Sequence, residues 1–118
     1  MGTNVVLFGW SRSNPGRERL SAAHFEEFVK YLNGRKQTGA IEDFDIVFLD
    51  PHGGDLGGFF LAHGSAEQCA ALQNDEEFRR AAVDASLIVE NFGVVPAATG
   101  EGVGPEMAMY GEAVGKLG

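Results

Sequence analysis

Four short segments of this chain place bulky apolar residues side by side instead of alternating them with polar ones. They are Val5-Val6-Leu7-Phe8, Phe44 to Leu49 (broken only by Asp45), Gly58 to Ala62 and Val94 to Ala98. Successive strand residues point to opposite faces, so each segment predicts a strand that is apolar on both. Two longer stretches repeat their apolar residues at helical spacing. From about Arg17 to Leu32, Leu20, His24, Phe25, Phe28, Tyr31 and Leu32 share one side, and Asn33-Gly34 reads as the stop. From about Asn74 to Asn91 the apolar side is Phe78, Ala81, Ala82, Ala85, Ile88, Val89 and Phe92. Ser65 and Gln68 form a capping box for a short helix ahead of it, and Asn74 with Glu77 repeats that spacing.

Turn formers separate these elements, at Ser13-Asn14-Pro15-Gly16 and at Asp50-Pro51-His52-Gly53-Gly54-Asp55. The order is β-α-β-β-α-β, and the second and third strands read as an antiparallel hairpin. That order predicts an α+β fold of the ferredoxin-like kind, an antiparallel sheet with two helices on one face. Two helices cover one face only, so the other calls for a second subunit, a ligand or both. A homodimer is therefore expected, with Val5, Leu7, Phe44, Phe48 and Phe60 at the interface or inside a barrel. Residues 1–103 form the domain, and 104–118 a tail with a helix-capable run from Glu106 to Leu117.

Charge narrows the partners. Seventeen acids against nine lysines and arginines give a net charge of −8, which argues against nucleic acid and anionic membrane surfaces. No apolar run approaches the roughly 20 residues needed to span a bilayer. One cysteine, Cys69, rules out an internal disulfide framework, and the start shows no basic targeting region. The expectation is a cytoplasmic protein with no membrane partner.

Few residues offer chemistry. His24 lies inside the apolar arc of the first long helix, where it is either a core histidine or a general base. Asp75, at the first turn of the second, is either the partner orienting that base or a carboxylate serving the helix dipole. His63 ends a central strand and can look into a cleft. His52 sits in a segment that is also simply a good turn, and three histidines and one cysteine assemble no metal cluster. Gly53-Gly54 and Gly57-Gly58 fail as a phosphate loop, since a strand and not a helix follows, and Gly100 to Gly104 belongs to no Rossmann unit. No metal and no cofactor are expected. Phe8, Trp10 and Tyr31 could line an aromatic pocket, with Arg12 or Arg79 to hold an acid group. Val83 and Leu87 stand out as an apolar pair on the polar side of the second long helix.

With this element order and doubly apolar strands, residues 4–100 resemble the dimeric α/β-barrel superfamily of the ferredoxin-like fold. The superfamily includes antibiotic-biosynthesis monooxygenases, muconolactone isomerase-like enzymes, haem-degrading proteins and YCII-related proteins. His24 in "AAHFEEFVKYL" and Asp75 in "LQNDEEF" are similar in place to the histidine and aspartate of the YCII-related family. That family usually has Asp-Pro-Phe where Asn74-Asp75-Glu76-Glu77-Phe78 stands here. The resemblance implies two sheets paired face to face and a cleft between each sheet and its helices. Two functions follow as expectations: binding of a small, partly apolar molecule in that cleft, or cofactor-independent catalysis with His24 or His63 as acid/base and Asp75 as helper.

Overall fold

A computed structural model describes residues 2–118. The strands are β1 (Val5–Trp10), β2 (Asp43–Phe48), β3 (Gly58–His63) and β4 (Gly93–Ala97), and the helices α1 (Glu18–Gln37), α2 (Ala66–Asn74), α3 (Glu76–Ile88) and α4 (Val103–Leu117). The four strands form one antiparallel sheet in the order β2-β3-β1-β4. The expected α+β architecture is thus present, with the two hydrophobic strands β1 and β3 at its centre.

Register decides which residues share a face, because directly opposed residues point the same way. Phe8 opposes Phe60 and Val94, and Val6 opposes Ala62 and Pro96. On this face Val6, Phe8, Phe60 and Ala62 are buried with Phe28 and Leu32 of α1, Cys69 and Leu72 of α2, and Phe78 and Ala85 of α3. An aromatic cluster forms its centre: the Phe8 ring stacks on Phe28 at 4.2 Å and meets Phe92 edge-on at 4.6 Å. Leu7 opposes Leu61 and Val95, and Val47 opposes Phe59, on the opposite face, which none of α1, α2 and α3 covers. The expected interface set therefore splits. Val5 and Leu7 are on the opposite face, where Val5 is already fully buried and Leu7 half-buried within one chain, but Phe44, Phe48 and Phe60 are on the helix face, since each follows the parity of Phe8.

Helix boundaries differ from those read in the sequence. The α1 helix runs through Gly34 to Gln37, and Gly39 at φ +79° ends it. A mid-helix glycine costs only about 1 kcal/mol, whereas the positive φ at the true stop needs glycine. Asp75, not Asn74, caps α3: its backbone is extended and its carboxylate accepts the Phe78 N–H, while Asn74 is still the last residue of α2. At the other end α3 stops at Ile88, because Val89 and Glu90 turn extended to pair with Arg12 and Ser13. Leu20, expected on the core side of α1, is exposed.

The helix of the tail starts at Val103, ahead of the Glu106 read from the sequence. A 3-10 turn at 100–102 leads into the 15-residue α4, no residue of which is buried. The Asn4 amide exchanges two bonds with the Thr99 backbone, and Gly102 is buried close to Gly2, so the helix leaves the sheet beside the start of β1. No helix among the described residues is long and apolar enough to cross a membrane.

Candidate functional site

The cleft between the helix face of the sheet and the first half of α1 holds about 450 Å³. Its apolar walls come from Phe8 and Trp10 of β1, Phe60 of β3, Phe48 of β2, Phe25 of α1, and Ala85 and Val89. Strand parity explains the convergence. Phe8 and Trp10 are two apart on one strand, Phe60 opposes Phe8, and Phe25 reaches down from the helix. Trp10 packs against Phe60 at 5.6 Å, and Phe25 against Phe60 and Phe48 at 5.1 and 5.5 Å. The polar rim is Ser13, Glu18, Ser21, His24 and Glu26, so the cleft carries two carboxylates and neither a lysine nor an arginine.

His24 is half-buried at the inner end of this cleft and also borders a smaller groove between α1 and α3. Its Nε2 lies 2.9 Å from the Ala81 carbonyl oxygen. A carbonyl only accepts, so Nε2 carries the hydrogen and Nδ1 of the neutral ring keeps its lone pair. The ring also lies nearly parallel to those of Phe8 and Phe28, with centroids 6.4 and 6.3 Å away.

Asp75 is engaged elsewhere. It accepts the Tyr31 hydroxyl at 2.7 Å and the Phe78 N–H at 3.2 Å, and faces the Arg35 guanidinium at 3.8 Å. The Tyr31 hydroxyl, above all, holds the Asp75 carboxyl below the usual aspartate range. Burial, reinforced by the Asp75 carboxylate, pushes the Tyr31 phenol up. Tyr31 is seven residues beyond His24, about 10 Å along α1. The structure does not bring His24 and Asp75 together: each has its own partners, and no hydrogen bond joins them among the described residues. Asp75 instead ties the start of α3 to the last turns of α1.

His63 is on the open sheet face, where its Nε2 lies 2.7 Å from Asp45 Oδ2 on the neighbouring strand. Asp45 enters the sequence pattern only as the polar break in its strand. The alternation Asp43-Phe44-Asp45-Ile46 held the signal, since it puts both aspartates on one face of the hairpin. His52 uses both ring nitrogens inside its own loop, donating from Nε2 to the Leu56 carbonyl and accepting the Gly54 N–H at Nδ1. No group of three or more metal-ligating side chains occurs among the described residues. The loop with Ser11, Arg12 and Glu90 outlines a wider, open polar groove of about 1010 Å³, where Arg12 pairs with Glu90. Arg12 is thus committed outside the cleft and Arg79 stands on the far side of α3, so neither anchors an acid group there. Tyr31 lines the smaller groove and not the cleft. Cys69 is buried, and burial raises its thiol pKa, as expected of a core thiol.

No protein-family model, curated protein or solved structure matches this chain.

Proposed function

We propose that this chain is a ferredoxin-like domain that pairs through its open sheet face, in the manner of dimeric α/β barrels. Each protomer binds one small aromatic molecule, neutral or cationic, in the cleft under α1. The fold reading is supported by the sheet order, which runs β4-β1-β3-β2 from the far edge, with α1 and α3 on one side. The observation that carries the binding reading is the lining itself: five aromatic rings, the carboxylates Glu18 and Glu26, and no basic side chain. Aromatic walls reward planar apolar surface and attract cations through their ring faces. An anionic ligand would meet the two carboxylates with nothing to compensate them.

Trp10 is the sole tryptophan and lines the cleft, so it reports occupancy directly. Titration with the neutral dye N-phenyl-1-naphthylamine should give saturable dye emission sensitised by Trp10, near one site per protomer. Ser21→Phe, which fills the cleft from α1, should abolish it. A linear, non-saturating response, or one unchanged by Ser21→Phe, refutes the reading.

A second reading makes the cleft catalytic, and His24 is the reason to keep it. Its Nε2 is anchored by a main-chain carbonyl, which leaves the Nδ1 lone pair unused at an apolar cavity, the arrangement a general base needs. Here the orienting group is the Ala81 carbonyl, with Asp75 only bracing the helices and His63–Asp45 as a separate pair on the open face. Base-catalysed ring opening of 5-nitrobenzisoxazole tests it: the base removes the C3 proton, the N–O bond breaks, and a nitrile phenoxide results. Catalysis lost in His24→Gln supports an enzyme, and a rate equal to that of free imidazole refutes it.

A further inference from the structure

The first half of α1 does not face the sheet as a packing helix does. Glu18, Ser21, Ala22, Phe25 and Glu26 line the cleft, while Leu20 is turned to solvent at 56 % exposure. At 100° per residue those five fall in an arc of about 140°, and Leu20 lies opposite its centre. Further along, Phe28 and Leu32 seal the same helix onto the sheet. Small residues at 21 and 22 leave the space open, and carboxylates stand where packing alone calls for apolar side chains. The polar atoms of the lining mostly accept. The two carboxylates accept only, and His24 offers the Nδ1 lone pair because its Nε2 hydrogen goes to the Ala81 carbonyl. The Ser13 and Ser21 hydroxyls serve either way, and the Trp10 indole N–H is the one other obligate donor among the lining side chains. Neighbouring bases are engaged elsewhere. Arg17 donates to the Leu87 carbonyl, and Lys30, four residues beyond Glu26, pairs with Glu27 instead. Neither Glu18 nor Glu26 has a salt-bridge partner among the described residues.

We infer that the ligand of this cleft is a protonated aromatic amine, its ring among Trp10, Phe25 and Phe60 and its ammonium at the mouth between Glu18 and Glu26. The inference rests on the binding reading above and narrows it from neutral or cationic to cationic. Eight residues set the two carboxylates about 12 Å apart along α1, so an ammonium midway lies about 6 Å along the axis from each. That is inside the Debye length of about 8 Å at physiological salt, and the two attractions act together. The half-buried rings of Trp10 and Phe25 add attraction of the same sign through their faces. The positive end of the α1 dipole opposes a cation at Glu18, but Glu26 lies two turns in, beyond its reach. A carboxylate ligand would meet the same groups with every sign reversed.

Calorimetric titration of the full-length protein at about pH 7 compares three ligands that share a naphthalene ring. They are 1-naphthylmethylamine, a cation at that pH, the neutral 1-naphthalenemethanol and the anion 1-naphthylacetate. At about 0.05 M salt the amine should bind at least about tenfold tighter than the alcohol, and the anion should not bind measurably. The preference should shrink severalfold at about 1 M salt, where the Debye length is about 3 Å. Glu18→Gln/Glu26→Gln should bring amine and alcohol to within about twofold of each other. Glu67→Gln/Glu112→Gln removes the same net charge away from the cleft and should leave the preference within about twofold of its original size. If no ligand binds saturably, or if alcohol binding survives Ser21→Phe, the cleft reading falls and this inference with it. If the alcohol binds and is lost in Ser21→Phe, but the amine is no tighter or the anion binds as well, the cation inference alone is overturned. A preference that survives Glu18→Gln/Glu26→Gln, or falls equally in the distant pair, overturns it too.

Discussion

Removing the Tyr31 hydroxyl tests whether Asp75 works as a brace between helices. Tyr31→Phe deletes one hydrogen bond to an ionised carboxylate and leaves the ring stacked beside Phe28 at 5.7 Å. Bonds to charged groups contribute about 1.5–3 kcal/mol, and partial exposure of Asp75 puts this one near the lower limit, about 1.5 kcal/mol. For 118 residues the unfolding entropy is about 0.25 kcal/mol/K, so the midpoint should fall by about 6 °C. Asp75→Ala loses that bond and the cap on α3, a further about 1 kcal/mol. The double variant should cost about 1.5 kcal/mol less than the two single losses combined, because they share that one bond. The pH dependence has a definite sign. The Asp75 carboxyl titrates below its ordinary value when folded, so its contribution is complete above about pH 5 and disappears as pH falls through the folded value. Urea unfolding of the four proteins at pH 7 and near pH 3 measures all of this. Strict additivity at pH 7, or a Tyr31→Phe cost that grows toward acid, would refute the brace.

Two further outcomes follow from packing. Phe8→Ala removes the ring at the centre of the aromatic cluster and should cost about 3–5 kcal/mol, enough to leave little folded protein at 37 °C by calorimetry. Gly57→Ala would set a Cβ 1.9 Å from the Ser11 carbonyl oxygen, where Gly57 donates to Trp10 and accepts from Leu49. Backbone must move to admit it, so hydrogen exchange at Leu49 and Gly57 should accelerate more than at β1, and equal protection in the variant would contradict the contact.

Much of the architecture could be read from the chain. Period-two and period-3.6 patterns are local, and they placed four strands, three of the helices and the Ser65–Gln68 capping box close to where they stand. The uncovered sheet face was legible for the same reason: bulky residues at consecutive strand positions, and too few helices to cover both sides. Which face each residue takes was not. Phe48 and Phe60 were grouped with Leu7, yet pairing register assigns them to the other side, and register comes from how β3 meets β1. The site divides in the same way. Aromatic content pointed to a pocket with Phe8, Trp10 and Tyr31, of which only the first two line the cleft, and helical spacing put His24 inside the apolar arc of α1. The partners of His24 and Asp75 were decided by where α3 crosses α1: two turns along α1 separate Tyr31 from His24, so the carboxylate meets the phenol and the imidazole meets the Ala81 carbonyl. Such pairings depend on the packing distance of elements some 50 residues apart, and no local pattern carries that information.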